Sequence, residues 1–129
     1  MASRRTNLRT KPAPDAPLTL TKAALRAAEV LEVPQTELAR IVGVSTATVS
    51  RLANGQKQLA PNTKSWQFAA LFVRLFRSLD AIVGSDDAAA RAWLRSENTA
   101  LGGVPLELIR DAAGLVRTVD YLDAARAGI

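Results

Sequence analysis

The sequence predicts an all-α protein, and three observations lead to that prediction. Hydrophobic residues make up 48% of the 129 residues and aromatic residues only 5%, so Ala and Leu supply much of the apolar content. Ala and Leu favour helices, whereas strands are enriched in β-branched and aromatic residues. Apolar residues recur three and four positions apart along several stretches, which is the spacing of a helix face. Gly and Pro separate these stretches, as they do at helix ends.

The absence of Cys and His narrows the possible functions. The chain has no thiol nucleophile, and it lacks the usual zinc ligands and the commonest general base. We therefore expect no metal, no cofactor and no enzymatic activity. No apolar run reaches the roughly 18 residues that a membrane span needs, and the N-terminus has no apolar signal-peptide core. A cytoplasmic protein without a membrane partner is expected.

Charge is distributed unevenly along the chain. Residues 1–79 contain 12 Lys and Arg against 4 Asp and Glu, a net charge of +8. Residues 80–129 contain 5 Arg against 8 acidic residues, a net charge of −3. Because a basic surface attracts phosphate, only the first half is suited to nucleic acid. The pattern indicates two halves with different partners.

Residues 1–17 are predicted to form a disordered basic arm. Prolines interrupt regular structure, and basic residues give the segment its charge. The residues concerned are Arg4, Arg5, Arg9, Lys11, Pro12, Pro14 and Pro17. Such an arm either lies along DNA or is a solvated tail, and the sequence leaves both readings open.

Residues 18–62 are predicted to form a helix-turn-helix region. A first helix over 19–33, capped by Thr19 or Thr21, is expected to end before Pro34.

Two shorter helices follow, over 35–42 and 46–53. Gly43 lies just past the first of them, where a positive φ ends a helix without a Cβ clash, and Ser45 is a good N-cap for the second. Each helix presents one apolar pair to a common core: Leu38 with Val42, and Val49 with Leu52. Ala39 is small enough for the second helix to cross closely over the first.

The pattern Q-x-x-L-A-x-x-x-G-V-S-x-x-x-V-S-R resembles the motif of the lambda-repressor-like, or Xre-type, DNA-binding proteins. The residues that carry it are Gln35, Leu38, Ala39, Gly43, Val44, Ser45, Val49, Ser50 and Arg51. The motif combines a small residue (Ala39), a turn glycine (Gly43) and an apolar residue six positions after that glycine (Val49). The resemblance implies operator DNA as a partner. The alternative is a plain αα-corner that binds no nucleic acid.

The outward face of the second short helix is the predicted reading surface. Arg51 is its only long charged donor, and Arg bound to guanine is the commonest specific base contact. The small residues at the start of this helix occupy positions that point into the groove in the resembled family. Gln35 begins the preceding helix, whose N-terminus can bind a phosphate. The candidate DNA-binding residues are Gln35, Ser45, Thr46, Ala47, Ser50, Arg51 and Lys57.

Residues 63–84 are predicted to form a long central helix that ends at Gly84. Its apolar residues make two stripes, which is a wider surface than one face of a small bundle usually covers. Either the helix is buried within one chain, or it forms a homodimer through Phe72, Phe76 and Leu79. A homodimer suits a helix-turn-helix protein that reads two half-sites.

Residues 85–129 are predicted to form a small helical unit. Ser85 is expected to cap its first helix, and Pro105 to begin a short helix that Gly114 ends. The last helix carries an apolar stripe made of Leu115, Val119 and Leu122.

This second half resembles the toxin-binding domain of the Xre/MbcA/ParS antitoxins. The pattern W-L-x-x-x-N-x-x-L-G-G-x-P-L-E-L-I begins at Trp93 and is followed by a glycine and a final amphipathic helix. With the helix-turn-helix, the resemblance covers about residues 20–129.

The resemblance implies a function that the residues alone do not name. Members of the family are antitoxins of type II toxin–antitoxin pairs. Their partners are RES-domain toxins, which degrade NAD or transfer ADP-ribose to a target. The antitoxin's C-terminal end plugs the NAD pocket of the toxin, and the antitoxin or the complex represses its own operator.

The end of the chain supplies the candidate toxin-binding residues, which are Tyr121, Leu122, Ala125, Arg126, Gly128 and Ile129. Tyr121 either anchors the interface or packs on its own chain. Arg126 either pairs with an acidic group of the toxin or is solvated. The acidic residues Asp111, Asp120 and Asp123 would complement a basic pocket that binds NAD phosphates.

Two other functions compete with the antitoxin. A stand-alone repressor could use its second half to dimerise or to sense a small ligand, but the sequence shows no convergent polar pocket. An enzyme is the third possibility, and the absence of a phosphate loop and of paired carboxylates argues against it.

Overall fold

The protein is described by a computed structural model over residues 16–128, and this part of the chain is all-helical, as predicted. Its helices are α1 (Ala16–Val30), α2 (Gln35–Val42), α3 (Thr46–Ala53), α4 (Lys64–Ile82), α5 (Asp87–Arg95), α6 (Pro105–Leu108) and α7 (Ala112–Arg126). Residues 1–15 of the predicted arm lie outside the described residues, whereas Ala16 and Pro17 already belong to α1. None of the helices within 16–128 combines the length and apolar character needed to cross a membrane.

The helix-turn-helix forms at the predicted residues because its signals are local. Gly43 has φ 76°, and its N–H donates to the carbonyl oxygen of Ala39 at 2.9 Å. The Val44 N–H donates to the same oxygen at 3.0 Å, which closes the end of α2. The Ser45 hydroxyl then accepts the N–H of Thr48 at 3.0 Å and caps α3.

The first helix begins earlier than predicted, and Thr21 has a different role from a cap. Thr21 lies inside α1 and is buried. Its hydroxyl donates to the carbonyl oxygen of Pro17 at 2.6 Å and accepts the N–H of Leu59 at 3.0 Å. It therefore ties the loop that follows α3 to α1.

The central helix α4 lies between the two halves of the protein. It packs against α1 and α2 on the N-terminal side and against α7 on the C-terminal side. Phe72, Leu75 and Leu79 have no exposed surface, and one continuous core includes apolar residues from α1 through α7. The prediction that Phe72 and Leu79 form a dimer interface is wrong, because their own chain already covers them. Phe76 is half-buried and packs against the same core.

The C-terminal half begins one residue later than predicted. Ser85 has φ 63° and lies in a turn, and Asp86 caps α5 by accepting the N–H of Ala89 at 3.1 Å. A tight loop follows, closed by hydrogen bonds between Asn98 and Gly103. Pro105 is the first residue of α6, as expected.

Gly114 lies within α7, so the prediction that it ends the preceding helix is wrong. The helix α6 stops at Leu108, and the N-cap Asp111 accepts the N–H of Gly114 at 2.8 Å. A Cβ atom on Gly114 would lie 1.8 Å from the carbonyl oxygen of Leu108. Only glycine therefore allows α6 and α7 to approach this closely.

Ion pairs between charged side chains connect the two halves, and two of them have contact distances of 2.7 Å. Arg110, which follows α6, donates two hydrogen bonds to the Glu37 carboxylate of α2, at 2.9 and 2.7 Å. On α4, Arg74 lies 2.7 Å from the Asp123 carboxylate of α7, which also accepts the Ser78 hydroxyl at 2.8 Å. The planar guanidinium group of arginine can donate two parallel hydrogen bonds to one carboxylate, which the ammonium group of lysine cannot do.

Replacing Gly114 with alanine should destabilise the fold. The added methyl group meets backbone rather than a movable side chain, and overpacking of this kind costs about 1–3 kcal/mol. We expect the variant to melt several degrees lower than the wild-type protein, as followed by circular dichroism. The neighbouring Ala113 is exposed, so Ala113→Gly is the control and should cost only about 0.5–1 kcal/mol. Equal melting temperatures for Gly114→Ala and the wild type would contradict the close approach.

Acid should weaken the contact between Glu37 and Arg110. Hydrogen bonds from Arg110 hold the pKa of the Glu37 carboxyl below its ordinary value, although partial burial opposes the shift. The stabilisation is therefore complete above the ordinary pKa of a glutamate and is lost as the pH falls through the lowered value. The difference in free energy of unfolding between the wild type and Glu37→Gln should accordingly shrink between about pH 5 and pH 3 in urea titrations. Glu29 is highly exposed, and Glu29→Gln serves as the control. A difference that stays constant over this range would refute the assignment.

Candidate nucleic-acid and protein interfaces

The exposed surface of α3 is the candidate reading face. Val49 and Leu52 anchor the helix in the core, which leaves Thr46, Ala47 and Arg51 exposed on the opposite side. Arg51 has no ion-pair partner among the described residues. Small side chains at the start of the helix and one long donor near its end suit an approach to base edges.

Two other predicted residues of this face are less accessible. Ser50 is half-buried, so only part of its side chain is available to a ligand. Ser45 is exposed, but its hydroxyl already caps α3 and lies 3.0 Å from the hydroxyl of Thr48. Thr48 is a residue that the sequence reasoning left out of the set. Thr48 lies three residues after the N-cap Ser45, and the side chain of an N-cap commonly accepts the N–H of that residue. This spacing in the sequence indicates that Thr48 contacts Ser45.

The N-terminus of α2 lies beside this face. Gln35 is exposed, and Pro34 before it provides no side-chain cap. The first backbone N–H groups of a helix have no partner inside the helix, so those at this end are available to an anion. The candidate phosphate contact at Gln35 is therefore accessible.

Lys57 lies on the other side of the reading face. It is exposed and lines a groove of about 190 Å³ between α3 and the start of α4, together with Thr48 and Thr63. Thr63 caps α4 by accepting the N–H of Trp66 at 3.2 Å. Gln35, Arg51 and Lys57 are thus all exposed within the helix-turn-helix region, and Lys57 lies in the loop that follows α3.

The outer surface of α7 is the candidate protein interface. The Tyr121 side chain is 38% exposed, and its ring stacks on that of Trp93 from α5, with centroids 6.3 Å apart and an interplanar angle of 21°. Tyr121 therefore packs on its own chain and also presents a face to a partner. Val116, five residues earlier in α7, is 43% exposed.

The remaining predicted toxin-binding residues divide into three groups. Leu122 is only 1% exposed, so the prediction that it contacts a toxin is wrong, because it belongs to the core. Ala125, Arg126 and Gly128 are exposed, and the first two line a groove of about 400 Å³ with Ala81 and Ile82 of α4. Ile129 lies outside the described residues.

The acidic residues of this half are not equally available to a basic partner. Asp111 caps α7, and Asp123 is held by Arg74 and Ser78. Asp120 is exposed and forms no ion pair within the described part of the chain. Of the three acidic residues predicted to complement a basic pocket of the partner, Asp120 is therefore the one whose carboxylate remains available at this surface.

Comparison with known families divides the chain in two. A model described as the antitoxin Xre-like helix-turn-helix domain matches residues 13–74. A second, described as the antitoxin Xre/MbcA/ParS C-terminal toxin-binding domain, matches residues 78–128. None of the curated proteins compared with the chain matches it.

A solved structure extends the likeness over both halves. A chain in the crystal structure of the M. tuberculosis MbcT–MbcA toxin–antitoxin complex is 25% identical, with a TM-score of 0.64. The match covers 85% of this chain and 96% of that chain. The two family models together span nearly all of the described residues. The chain from the toxin–antitoxin complex matches across both of these ranges. The chain therefore belongs to the Xre/MbcA/ParS-type antitoxins and carries their helix-turn-helix domain.

Proposed function

We propose that this antitoxin neutralises a RES-domain toxin that degrades NAD or transfers ADP-ribose, and that it represses its own operon. One observation carries the proposal: a DNA-binding fold and a toxin-binding domain occur together in one chain. The likeness to a chain of the MbcT–MbcA complex supports a protein toxin as the partner. The RES class rests on the resemblance of the pattern that begins at Trp93 and ends at Ile109.

The accessible surface of the helix-turn-helix supports operator binding. In the proposed complex α3 enters the major groove, and Arg51 donates to a guanine. Thr46 and Ala47 are small enough to let the start of the helix approach the bases. Gln35 with the N-terminus of α2, and Lys57 in the following loop, bind the phosphates and fix the orientation of α3.

The stacked aromatic pair supports the toxin contact. The Trp93 ring already holds the ring of Tyr121, so Tyr121 loses little side-chain freedom when a partner covers it. Aromatic side chains of this kind are common binding hot spots. Beyond them, the end of α7 leads to Arg126 and Gly128, which are exposed. In the proposed complex these two residues occlude the toxin's active site.

A homodimer remains part of the proposal, because helix-turn-helix proteins commonly read two half-sites with two copies. Its interface must use surface other than Phe72 and Leu79, which have no exposed area. Light scattering of the pure chain distinguishes a dimer from a monomer.

Inhibition of the toxin is the direct test of the proposed function. In the absence of antitoxin, the toxin encoded beside it should consume NAD. Addition of the antitoxin should stop that reaction. A chain truncated after Arg126 retains all of α7 and should still bind the toxin while inhibiting it less. Truncation at Asp120 would be uninformative, since it also removes Leu122 from the core. Full NAD consumption in the presence of excess antitoxin would overturn the proposal.

Replacing Arg51 with alanine should weaken operator binding. Losing a bidentate guanine contact costs about 1–3 kcal/mol, which corresponds to roughly fivefold to 150-fold in affinity. Discrimination between the operator and unrelated DNA should fall as well. Fluorescence anisotropy with labelled duplexes measures both quantities. Arg26 on α1 is similarly exposed, so Arg26→Ala controls for the loss of one positive charge. Unchanged operator affinity for Arg51→Ala would show that α3 does not read the operator through Arg51.

Replacing Tyr121 with alanine should weaken toxin binding by about tenfold or more, which is the loss expected for a hot spot. Tyr121→Phe keeps the ring on Trp93 and should retain most of the affinity if packing is what the toxin recognises. Isothermal titration calorimetry gives the affinities, and circular dichroism checks the fold. Toxin affinity that is equal for both variants and the wild type would place the interface elsewhere.

A further inference from the structure

Three arginines of the C-terminal half contact the end of α1, the turn that follows it and the first turn of α2. The Arg91 Nε donates to the carbonyl oxygen of Val30 at 2.8 Å, and Arg95 Nη2 donates to that of Glu32 at 2.7 Å. Arg110 donates twice to the carboxylate of Glu37. We name this set, Arg91, Arg95 and Arg110, the arginine brace.

The segment that the arginine brace holds needs such support. The last carbonyl groups of a helix have no N–H donor within the helix, so the end of α1 needs donors from elsewhere. Glu32 has φ 54°, a left-handed conformation that non-glycine residues rarely adopt. Arg91 and Arg95 donate to the carbonyl oxygens on this turn, where positive charge is also favoured by the helix dipole. The turn is therefore stabilised from the toxin-binding half of the protein.

The same segment determines where α2 begins. Pro34 and Gln35 follow the turn directly, and Glu37 lies in the first turn of α2. Glu37 is fixed by a two-pronged contact, and its side chain is only 15% exposed. The position of the N-terminus of α2, where Gln35 lies, thus depends on side chains from the other half.

We propose that the arginine brace consists of positioning residues for operator binding, although it belongs to the toxin-binding half. It fixes the turn between α1 and α2 and the first turn of α2, so that Gln35 and the adjacent N–H groups meet a phosphate in register with α3. This inference rests on the operator binding proposed above.

Direct phosphate contacts by these arginines are a different explanation, and the geometry argues against it. The Arg110 guanidinium already uses Nε and Nη2 on Glu37. Arg95 uses Nη1 on the carbonyl oxygen of Arg91 and Nη2 on that of Glu32. Arg91 Nε lies on the Val30 carbonyl oxygen and 3.7 Å from the Glu32 carboxylate.

The experiment compares operator affinity for the wild type, Arg110→Ala, Arg110→Lys and Glu37→Gln. The probe is a labelled duplex that spans the promoter of the antitoxin's own operon, at several salt concentrations. We expect all three variants to bind about threefold to fivefold more weakly, which is the scale of one partly exposed ion pair. Lysine keeps the charge but loses the fork, so it should behave like alanine. Arg117 contacts only the carbonyl oxygen of Leu101 in its own half, and Arg117→Ala is the matched control.

Salt dependence separates positioning from direct contact. A lost phosphate contact lowers the slope of log affinity against log salt by about one, whereas a positioning residue leaves it unchanged. Toxin affinity, measured on the same samples, should remain that of the wild type and so shows that the variants are folded. Glu37→Gln removes a negative charge from the basic half. If this variant binds DNA more tightly than the wild type, net charge rather than positioning of α2 determines the affinity, and the inference fails.

The outcomes are distinguishable from those of the parent proposal. If the wild-type protein does not bind its promoter duplex, the operator function itself fails. If the wild type binds and Arg110→Ala, Arg110→Lys and Glu37→Gln bind equally well, Arg110 does not position the first turn of α2 and the inference is overturned. A changed salt slope for Arg110→Ala or Arg110→Lys also overturns it.

Discussion

Burial of α4 is the constraint on which the rest of the structure depends. The helix places Phe72, Leu75 and Leu79 at zero exposure, and each such side chain contributes about 1.5–3 kcal/mol relative to an exposed one. Helices from both halves cover it, so neither half completes its core alone. The candidate reading face and the candidate protein interface consequently both depend on one shared helix. Displacement of either side would expose apolar surface that belongs to the other.

Charge reinforces this arrangement. The basic half uses two of its few acidic residues, Glu32 and Glu37, to meet arginines of the acidic half. Arg74 meets Asp123 in the opposite direction. Each of these three pairs therefore joins a residue of one half to an opposite charge of the other half.

Local chemistry explains which features could be predicted from the sequence. The bounds of α2 and α3 depend on Gly43, Ser45 and Pro34, and each acts through neighbours in the chain. The dimer residues and Leu122 were misassigned because an apolar stripe does not indicate whether its own chain or a partner covers it. Gly114 was misread because its reason is the approach of the Leu108 carbonyl group, a tertiary contact. The exposure of Arg51 follows from helical periodicity. Tyr121 stands out in the sequence only as an aromatic residue of the last helix, and its stack on Trp93 is a tertiary contact. The contacts made by Arg91, Arg95 and Arg110 could not be found, because they span more than 60 residues of sequence.

The position of the boundary between the two family matches has a consequence for how such antitoxins evolve. The first match ends at residue 74 and the second begins at residue 78, so the boundary falls inside α4 rather than in a linker. Recombination there would join two halves of a buried helix whose apolar faces had been selected against different neighbours. Exchange of one matched domain at this boundary would therefore disturb the shared core as well as the surface of the protein. A chimera between two antitoxins of this kind would need to carry the whole of α4 with the surfaces of α1, α2 and α7 that pack on it.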